Sequence, residues 1–259
     1  VKPFRVLQFN MQFGQIWDER DPEGAPIRLE ETIAEIRRRD PDVIHLQEVE
    51  QALPGGVQVS PPPNFERLRA ALPDYHGHFA YPPADTRELP FGIGLAIFSR
   101  TPLRDVFAEV LPSPPIEFDF FGEKKTPTDR VLIGARTTIA GRELRLLNTH
   151  LLAFFMLQTD SRAHPEQRRR VAARLREAQA EGAAAILSGD FNVRDHEGLA
   201  AEFAAEGFET VQRAEVTWRR QPYVLDHIFH NAPLRCVGQA VVPTPASDHH
   251  ALVADFVWA

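Results

Sequence analysis

The sequence is short of cysteine, of long apolar runs and of positive charge, and each shortage narrows what the chain can be. Its one thiol, Cys236, has no partner for an internal disulfide, so no disulfide framework holds the fold. A lone thiol suits a reducing, cytoplasmic compartment. The start, Val1-Lys2-Pro3-Phe4, has neither an initiator methionine nor an apolar leader core, so export after loss of a leader stays open. No apolar stretch reaches the roughly 18 residues that a membrane-crossing helix needs. Acidic residues number 36 against 29 basic ones, a formal net charge of −7. Proteins that live on nucleic-acid phosphates usually carry a basic excess or stripe, so this balance does not favour a nucleic-acid partner. The densest basic run is Arg168-Arg169-Arg170, followed by Arg174 and Arg176. It reads first as a solvated helix face and second as a phosphate-contacting patch. There is no short-period repeat, low-complexity tract or composition shift. The 259 residues are therefore read as one domain, 1–259, acting as a monomer.

What the chain does have is a series of short apolar runs of strand length: Phe4 to Phe9, Val43 to Leu46, Ile93 to Phe98, Val131 to Thr138, Leu144 to Asn148, Ala184 to Leu187, Val224 to Phe229 and Leu252 to Trp258. Between some of them lie helical patterns. Leu29, Ile33 and Ile36 recur at helix spacing until Asp40-Pro41. Asn64 is placed to cap a short helix bearing Phe65, Leu68 and Leu72. Pro165 suits the first turn of a helix through Val171, Leu175 and Ala178 that Gly182 stops, and Leu199 and Phe203 mark another that Gly207 ends. The stretch from Pro112 to Pro127 reads as an irregular loop. Helices follow only some strands, which argues for an α/β arrangement of packed sheets with helices outside rather than an alternating βα wheel.

The polar residues fall in a pattern. Asn10, Glu48, His150, Asp190 with Asn192, and Asp226 each sit at the edge of an apolar run, and Ser247 leads into Asp248 and His249 just before the last one. Strand ends on one rim converge in space even when they are far apart in sequence, and such rims bind ligands in open sheets. The resulting set is rich in oxygen donors with two imidazoles, which suits Mg²⁺ or Mn²⁺. Zinc would call for thiolates or closely spaced histidines, and there is no HExxH. Taken singly, each residue has a plainer reading. Asn10 could satisfy a turn, Glu48 could be a solvated strand end, and Gly189-Asp190-Phe191-Asn192 could be a tight turn. Asp226 could pair with His227, and His250 competes with His249 for the inward position. Trp218 could flank the site with Thr217 or belong to the core.

Five segments in order raise the set above those single readings: Leu46-Gln47-Glu48-Val49, Asn148-Thr149-His150, Gly189-Asp190-Phe191-Asn192, Leu225-Asp226-His227-Ile228-Phe229 and Ser247-Asp248-His249. Together with Phe9-Asn10 they resemble the endonuclease/exonuclease/phosphatase superfamily, the deoxyribonuclease I-like metal-dependent phosphoesterases. The resemblance runs over nearly the whole chain. It implies a four-layer α/β sandwich in which two mixed β-sheets pack face to face between helices. It also implies roles: Glu48 as the main metal carboxylate with Asn10 and Asp248, His249 as general base and Asp226 as the carboxylate that holds its imidazole. Asp190 and Asn192 would position the nucleophile and phosphate, and His150 would donate to a phosphate oxygen.

The rest concerns the substrate. Arg130, at the head of an apolar run, is either a phosphate contact on the rim or a surface ion pair with Asp129. Two phenylalanine-rich loops, one with Phe118, Phe120 and Phe121 and one with Phe154, Phe155 and Met156, either pack onto the body or form an apolar rim. An apolar rim would favour a small or lipid-like phosphoester substrate and give lipid contact. The alternatives are a nuclease acting on DNA or RNA and a catalytically silent binding module.

Overall fold

The computed structural model describes residues 2–259. In chain order the strands are β1 (Phe4–Asn10), β2 (Val43–Gln51), β3 (His76–Ala80), β4 (Gly92–Ser99), β5 (Arg104–Leu111), β6 (Phe118–Phe120), β7 (Glu123–Lys125), β8 (Arg130–Ile139), β9 (Arg142–His150), β10 (Ala185–Asp190), β11 (Phe208–Thr210), β12 (Asp226–Asn231), β13 (Leu234–Val242) and β14 (Ala251–Trp258). The helices are α1 (Leu29–Arg39), α2 (Pro63–Ala71), α3 (Glu166–Ala180) and α4 (His196–Ala205). Two mixed six-stranded sheets result, ordered β13-β14-β1-β2-β4-β3 and β11-β12-β10-β9-β8-β5, with β6-β7 as a separate hairpin. Each sheet has one parallel pair at its centre, β1 with β2 and β9 with β10, flanked by antiparallel neighbours.

The alternation of each central strand sorts its side chains into layers. On β1, Phe4 and Val6 enter the core between the sheets, while Leu7 and Phe9 face outward against Leu29 and Ile36 of α1 and Phe65 and Leu68 of α2. On the second sheet Leu146, Ile186 and Ile228 point inward, and Leu147, Leu187 and Phe229 meet Val171 and Leu175 of α3 and Phe203 of α4. The order is therefore helix, sheet, sheet, helix. Strands buried on both faces must be apolar at nearly every position, which is why they stood out in the sequence.

Within the two six-stranded sheets the strands without an apolar run are β3, β5, β11 and β13, and they are the four sheet edges. An edge strand exposes one face and one row of backbone, so its sequence alternates or turns polar. Strand β5 is exposed or half-exposed at every position before Leu111. Two local expectations are corrected. The helix that Asn64 was to cap starts at Pro63; the Asn64 amide instead donates to the carbonyls of Phe13 and Val49, fastening α2 to the site side of β2. The stretch from Pro112 to Pro127 contains the β6-β7 hairpin, built from the alternation in Phe118-Asp119-Phe120 and closed where the Asp119 carboxylate accepts from the Gly122 N–H. Among the described residues no helix is long and apolar enough to cross a membrane.

Candidate active site

The inward-facing stripe changes character at one end of the sandwich. On β1, Val6 is followed by Gln8 and Asn10; on β9, Leu146 by Asn148 and His150; on β10, Ile186 by Ser188 and Asp190. The antiparallel β12 begins at that end with Asp226, which is paired in register with Asp190. Asp248 and His249 precede β14 at the same rim. Apolar alternation thus supplies the core, and its continuation supplies the site.

Glu48 reaches this rim by a break in regularity. The register between β2 and β4 shifts between Gln47 and Glu50, and Glu48 has φ 51°. A bulge of this kind re-aims a side chain, and a positive φ in a residue other than glycine costs roughly 1–3 kcal/mol. The turned side chain lies over Gly92, where an added Cβ would come within 2.2 Å of Glu48 Oε2. Gly189 has a similar role one strand away: a Cβ there would stand 2.3 Å from the Thr149 carbonyl oxygen, against which β10 packs.

The side chains interlock. The Asn10 amide donates to Glu48 Oε1 at 2.9 Å and to Asp190 Oδ2 at 3.0 Å. His150 Nε2 stands 3.9 Å from Glu48 Oε1 and 3.6 Å from Asp190 Oδ2. His249 Nδ1 donates to Asp226 Oδ2 at 2.8 Å, leaving Nε2 3.6 Å from Asp190 Oδ2. Asn192, with φ 51°, donates its backbone N–H to Asp190 Oδ1 and its amide to the Leu151 carbonyl.

Several ambiguities resolve. His249 is the inward imidazole, while the His250 ring joins Trp17, Trp218 and Arg219 around a neighbouring surface cavity. His227 faces outward, stacked on Phe229 and bonded to Thr210, so Asp226 is not its partner. Trp218 flanks the site: its indole donates to Asp248 at 3.3 Å and its ring lies 6.4 Å from that of His249. Thr217 accepts the backbone N–H of both Leu225 and Asp226. Arg130 makes no ion pair with Asp129 among the described residues; Asp129 accepts from the Ser113 N–H instead. The Arg130 Nε is buried without a partner, beside His150 at the mouth of a small cleft.

Asp248 stands apart from the cluster of Glu48, His150 and Asp190. Its Oδ2 accepts from Arg220 Nε at 2.6 Å as well as from Trp218. Arg220 carried no signal in the sequence. Gln8 and Gln47 were also passed over, although a polar residue at an inward position of a buried strand is a usable signal.

Burial makes the cluster electrostatically demanding. Glu48 is pushed up to about 7 by burial and by the charge of Asp248. Asp190 is pushed up to about 8, mainly by burial and further by Asp226 and Glu48. His150 is held well below its ordinary range by burial, with the charges of Arg130 and His249 adding to it. Burial also disfavours the His249 cation, but Asp226 and Asp190 outweigh it and hold the imidazole up to about 10. The carboxylates thus carry more negative charge than the protein neutralises, and protons make up the difference. A divalent cation would supply that compensation. The donor atoms of Glu48, His150 and Asp190 lie within 4.8 Å of one another, an oxygen-rich set that fits a hard ion.

Comparison with known proteins agrees with this geometry. The family model for the endonuclease/exonuclease/phosphatase family matches residues 7–249. No curated sequence matches the chain. Among solved structures, an endonuclease/exonuclease/phosphatase from Beutenbergia cavernae DSM 12333 is similar over 100% of this chain and 72% of its own, at 21% identity and a TM-score of 0.73. A mannosyl-6-phosphatase from Bacteroides thetaiotaomicron VPI-5482 is similar over 98% of this chain and 100% of its own, at 17% identity and 0.66. TDP2 from D. rerio, solved with a single-strand DNA product, is similar over 99% of this chain and 100% of its own, at 19% identity and 0.65. At these identities the likeness is one of fold. The family match is different in kind, since it runs from inside β1 to the imidazole bonded to Asp226, and on that match the chain belongs to the endonuclease/exonuclease/phosphatase family of phosphoester hydrolases.

Proposed function

We propose that the protein is a divalent-metal-dependent phosphoesterase that activates water with the Asp226–His249 pair for in-line attack on phosphorus. We further propose a small or lipid-like substrate. The observation that carries the reading is the 2.8 Å bond from His249 Nδ1 to Asp226 Oδ2, which leaves Nε2 facing Asp190 in a cleft shared with Glu48 and His150. Without a cation, the charges of Asp226 and Asp190 keep His249 protonated. With those charges offset by a bound divalent cation, Nε2 is free to take the proton from water, and Asp226 stabilises the imidazolium that forms. Asp190, 3.6 Å from Nε2, orients that water, and Asn192 is held beside it through its backbone. Phosphate oxygens fall to Asn192 and His150, with Arg130 on the rim as a further cation. Glu48 would hold Mg²⁺ or Mn²⁺, with Asn10 turning its amide oxygen to the ion in place of the N–H that faces Glu48 without it, and Asp248 adding charge from a greater distance. The ion, when bound, neutralises charge that develops on phosphoryl or leaving oxygens.

The substrate reading rests on the rim. Phe121, at the tip of the β6-β7 hairpin, is 93% exposed; its ring meets that of Phe120, which in turn meets that of Phe91. Phe91 directly precedes Gly92, over which Glu48 lies. On the other side, Met156 is 63% exposed in the turn after His150, while its neighbour Phe155 packs on Trp218 and Tyr223. Phe154 belongs to the body, buried and stacked on His164. Apolar side chains therefore flank the cleft on both sides. The basic run on α3 offers little to nucleic acid, because Arg168, Arg170, Arg174 and Arg176 are each paired with glutamates.

The test is a panel of phosphomonoesters, soluble phosphodiesters, phospholipid head-group esters and single- and double-stranded nucleic acids, assayed with Mg²⁺ or Mn²⁺. The reading expects cation-dependent hydrolysis with preference for a small or amphiphilic ester. Preference for DNA or RNA, lost in Glu48→Ala, would establish the nuclease alternative instead.

A further inference from the structure

Between the two sheets, directly beneath the cleft, three buried carboxamides lie in contact with one another. Gln8 on β1, Gln47 on β2 and Asn148 on β9 are all 0% exposed, as is Asp226. The Asn148 amide donates to the carbonyls of Leu46 and Ala96 at 2.9 and 3.0 Å. Gln47 donates to Asn148 Oδ1 at 2.6 Å and to Gln8 Oε1 at 2.9 Å. Gln8 donates to Gln47 Oε1 at 2.5 Å and to Asp226 Oδ1 at 3.1 Å.

The direction of this chain is forced. Backbone carbonyls only accept, so the Asn148 NH₂ must face them and its oxygen must face Gln47. Gln47 then has to donate, and one of its hydrogens goes to the Gln8 oxygen. That fixes the Gln8 NH₂ toward Gln47 and Asp226. All six amide hydrogens are used, so flipping any member would leave a buried donor or acceptor unsatisfied. Carbonyls on two strands of the first sheet thus dictate that an N–H donor meets Asp226 Oδ1, while Oδ2 is left for His249 Nδ1.

We propose that Gln8 is a positioning residue for the Asp226–His249 pair, oriented through Gln47 and Asn148. With Oδ1 pinned, the Asp226 carboxylate cannot rotate away from the imidazole, and His249 keeps Nε2 turned to the cleft. Gln8 touches no substrate and holds no metal. The role rests on the proposed use of His249 as base, but the geometry can be read without catalysis.

The experiment compares wild type with Gln8→Met, Gln8→Asn, Asp226→Asn and the Gln8→Met/Asp226→Asn double variant. One arm is proton NMR of the protein without added metal. Wild type should show a strongly downfield imidazole N–H resonance, assigned to His249 by its loss in Asp226→Asn, and Gln8→Met should shift or broaden it. The other arm is hydrolysis of bis(p-nitrophenyl) phosphate with Mn²⁺. There kcat should fall about 10–100-fold in Gln8→Met, as when an outer hydrogen-bond partner is lost, with KM within about twofold. In the Asp226→Asn background Gln8→Met should add little. Should Gln8→Met not fold, Gln8→Asn, one methylene too short to reach Asp226, gives the same readouts. An unchanged resonance, or a kcat loss that repeats in full on top of Asp226→Asn, overturns the proposal. If wild type hydrolyses no phosphoester, the proposed function falls, and the resonance alone decides the positioning role.

Discussion

The floor of the cleft and its rim are built on opposite plans. The floor consists of strand-end side chains, Asn10, Asp190, Asp226 and His249, each buried and fixed by short hydrogen bonds to another member. The proposed rim consists of a hairpin tip and a short turn, which carry Phe121 and Met156 into solvent. On the proposed mechanism a rigid floor would set the reaction, because a misplacement of about 1 Å between water, phosphorus and base can cost about 10²-fold in rate. On the proposed reading, the exposed rim would set which esters arrive. Floor substitutions should therefore lower kcat for every substrate, and rim substitutions should change KM for some.

The largest effect is expected at the floor's acid–base positions. His249→Ala and Asp190→Ala should each lower kcat by about 10³-fold or more on any reactive phosphoester, with cooperative thermal unfolding retained. A loss confined to one substrate would erase the distinction between floor and rim. Asp226→Asn should follow at about 10²–10⁴-fold, since an amide can favour the wrong imidazole tautomer.

Next comes Gly92→Ala, a change of one methyl group. The new Cβ would meet Glu48 at 2.2 to 2.3 Å, so the carboxylate must move. Affinity for Mg²⁺ or Mn²⁺, read by calorimetry, should weaken about 10–100-fold, and overpacking should cost about 1–3 kcal/mol in denaturant unfolding. Unchanged affinity would remove Glu48 from the metal position.

A smaller effect tests the rim. Phe121→Ser combined with Met156→Ser should raise KM about tenfold for a micellar ester, in line with the ~1.5–3 kcal/mol gained on burying one large apolar side chain. On a small soluble ester the same variant should stay near wild type. An equal loss on both would mean that the rim supports the floor rather than selecting substrate.

The smallest effect on activity lies two residues before Gln47 on the same face of β2. His45 is fully buried and, among the described residues, neither ring nitrogen has a partner. Burial pushes it down to about 3. Its neutral form is therefore the folded one, and the unfolded chain takes up the proton first as pH falls below about 6.5. Stability is complete above that pH and is lost as pH falls from about 6.5 toward 3, by about 2 kcal/mol between pH 6.5 and 5. His45→Phe should flatten that part of the unfolding curve and leave kcat at neutral pH nearly unchanged. The contrast with Gln47 is instructive: one buried polar side chain is wholly satisfied next to the site, and its near neighbour is not satisfied at all.

The same contrast explains what could be read in advance. The central strands were legible because burial on both faces forces apolar runs, and Asn10, Glu48, His150 and Asp226 stood out as polar interruptions at their ends. The four edge strands were not, because a half-exposed edge needs no such run. Arg220 was missed for a similar reason, since an arginine in a loop has no pattern until Asp248 is beside it. The Gln8–Gln47–Asn148 chain lay between these cases. Each amide sits at an inward position of a recognisable strand, but only the packing of one sheet on the other brings them within bonding distance.

The most direct test of the central claim is a divalent-cation titration of phosphodiester hydrolysis in wild type and Glu48→Gln. The account predicts no turnover after chelation, full recovery on adding Mg²⁺ or Mn²⁺ to wild type, and activity lower by about 10²-fold or more in Glu48→Gln at the same cation concentration. Hydrolysis by wild type that survives chelation, or a Glu48→Gln variant that titrates like wild type, would contradict it.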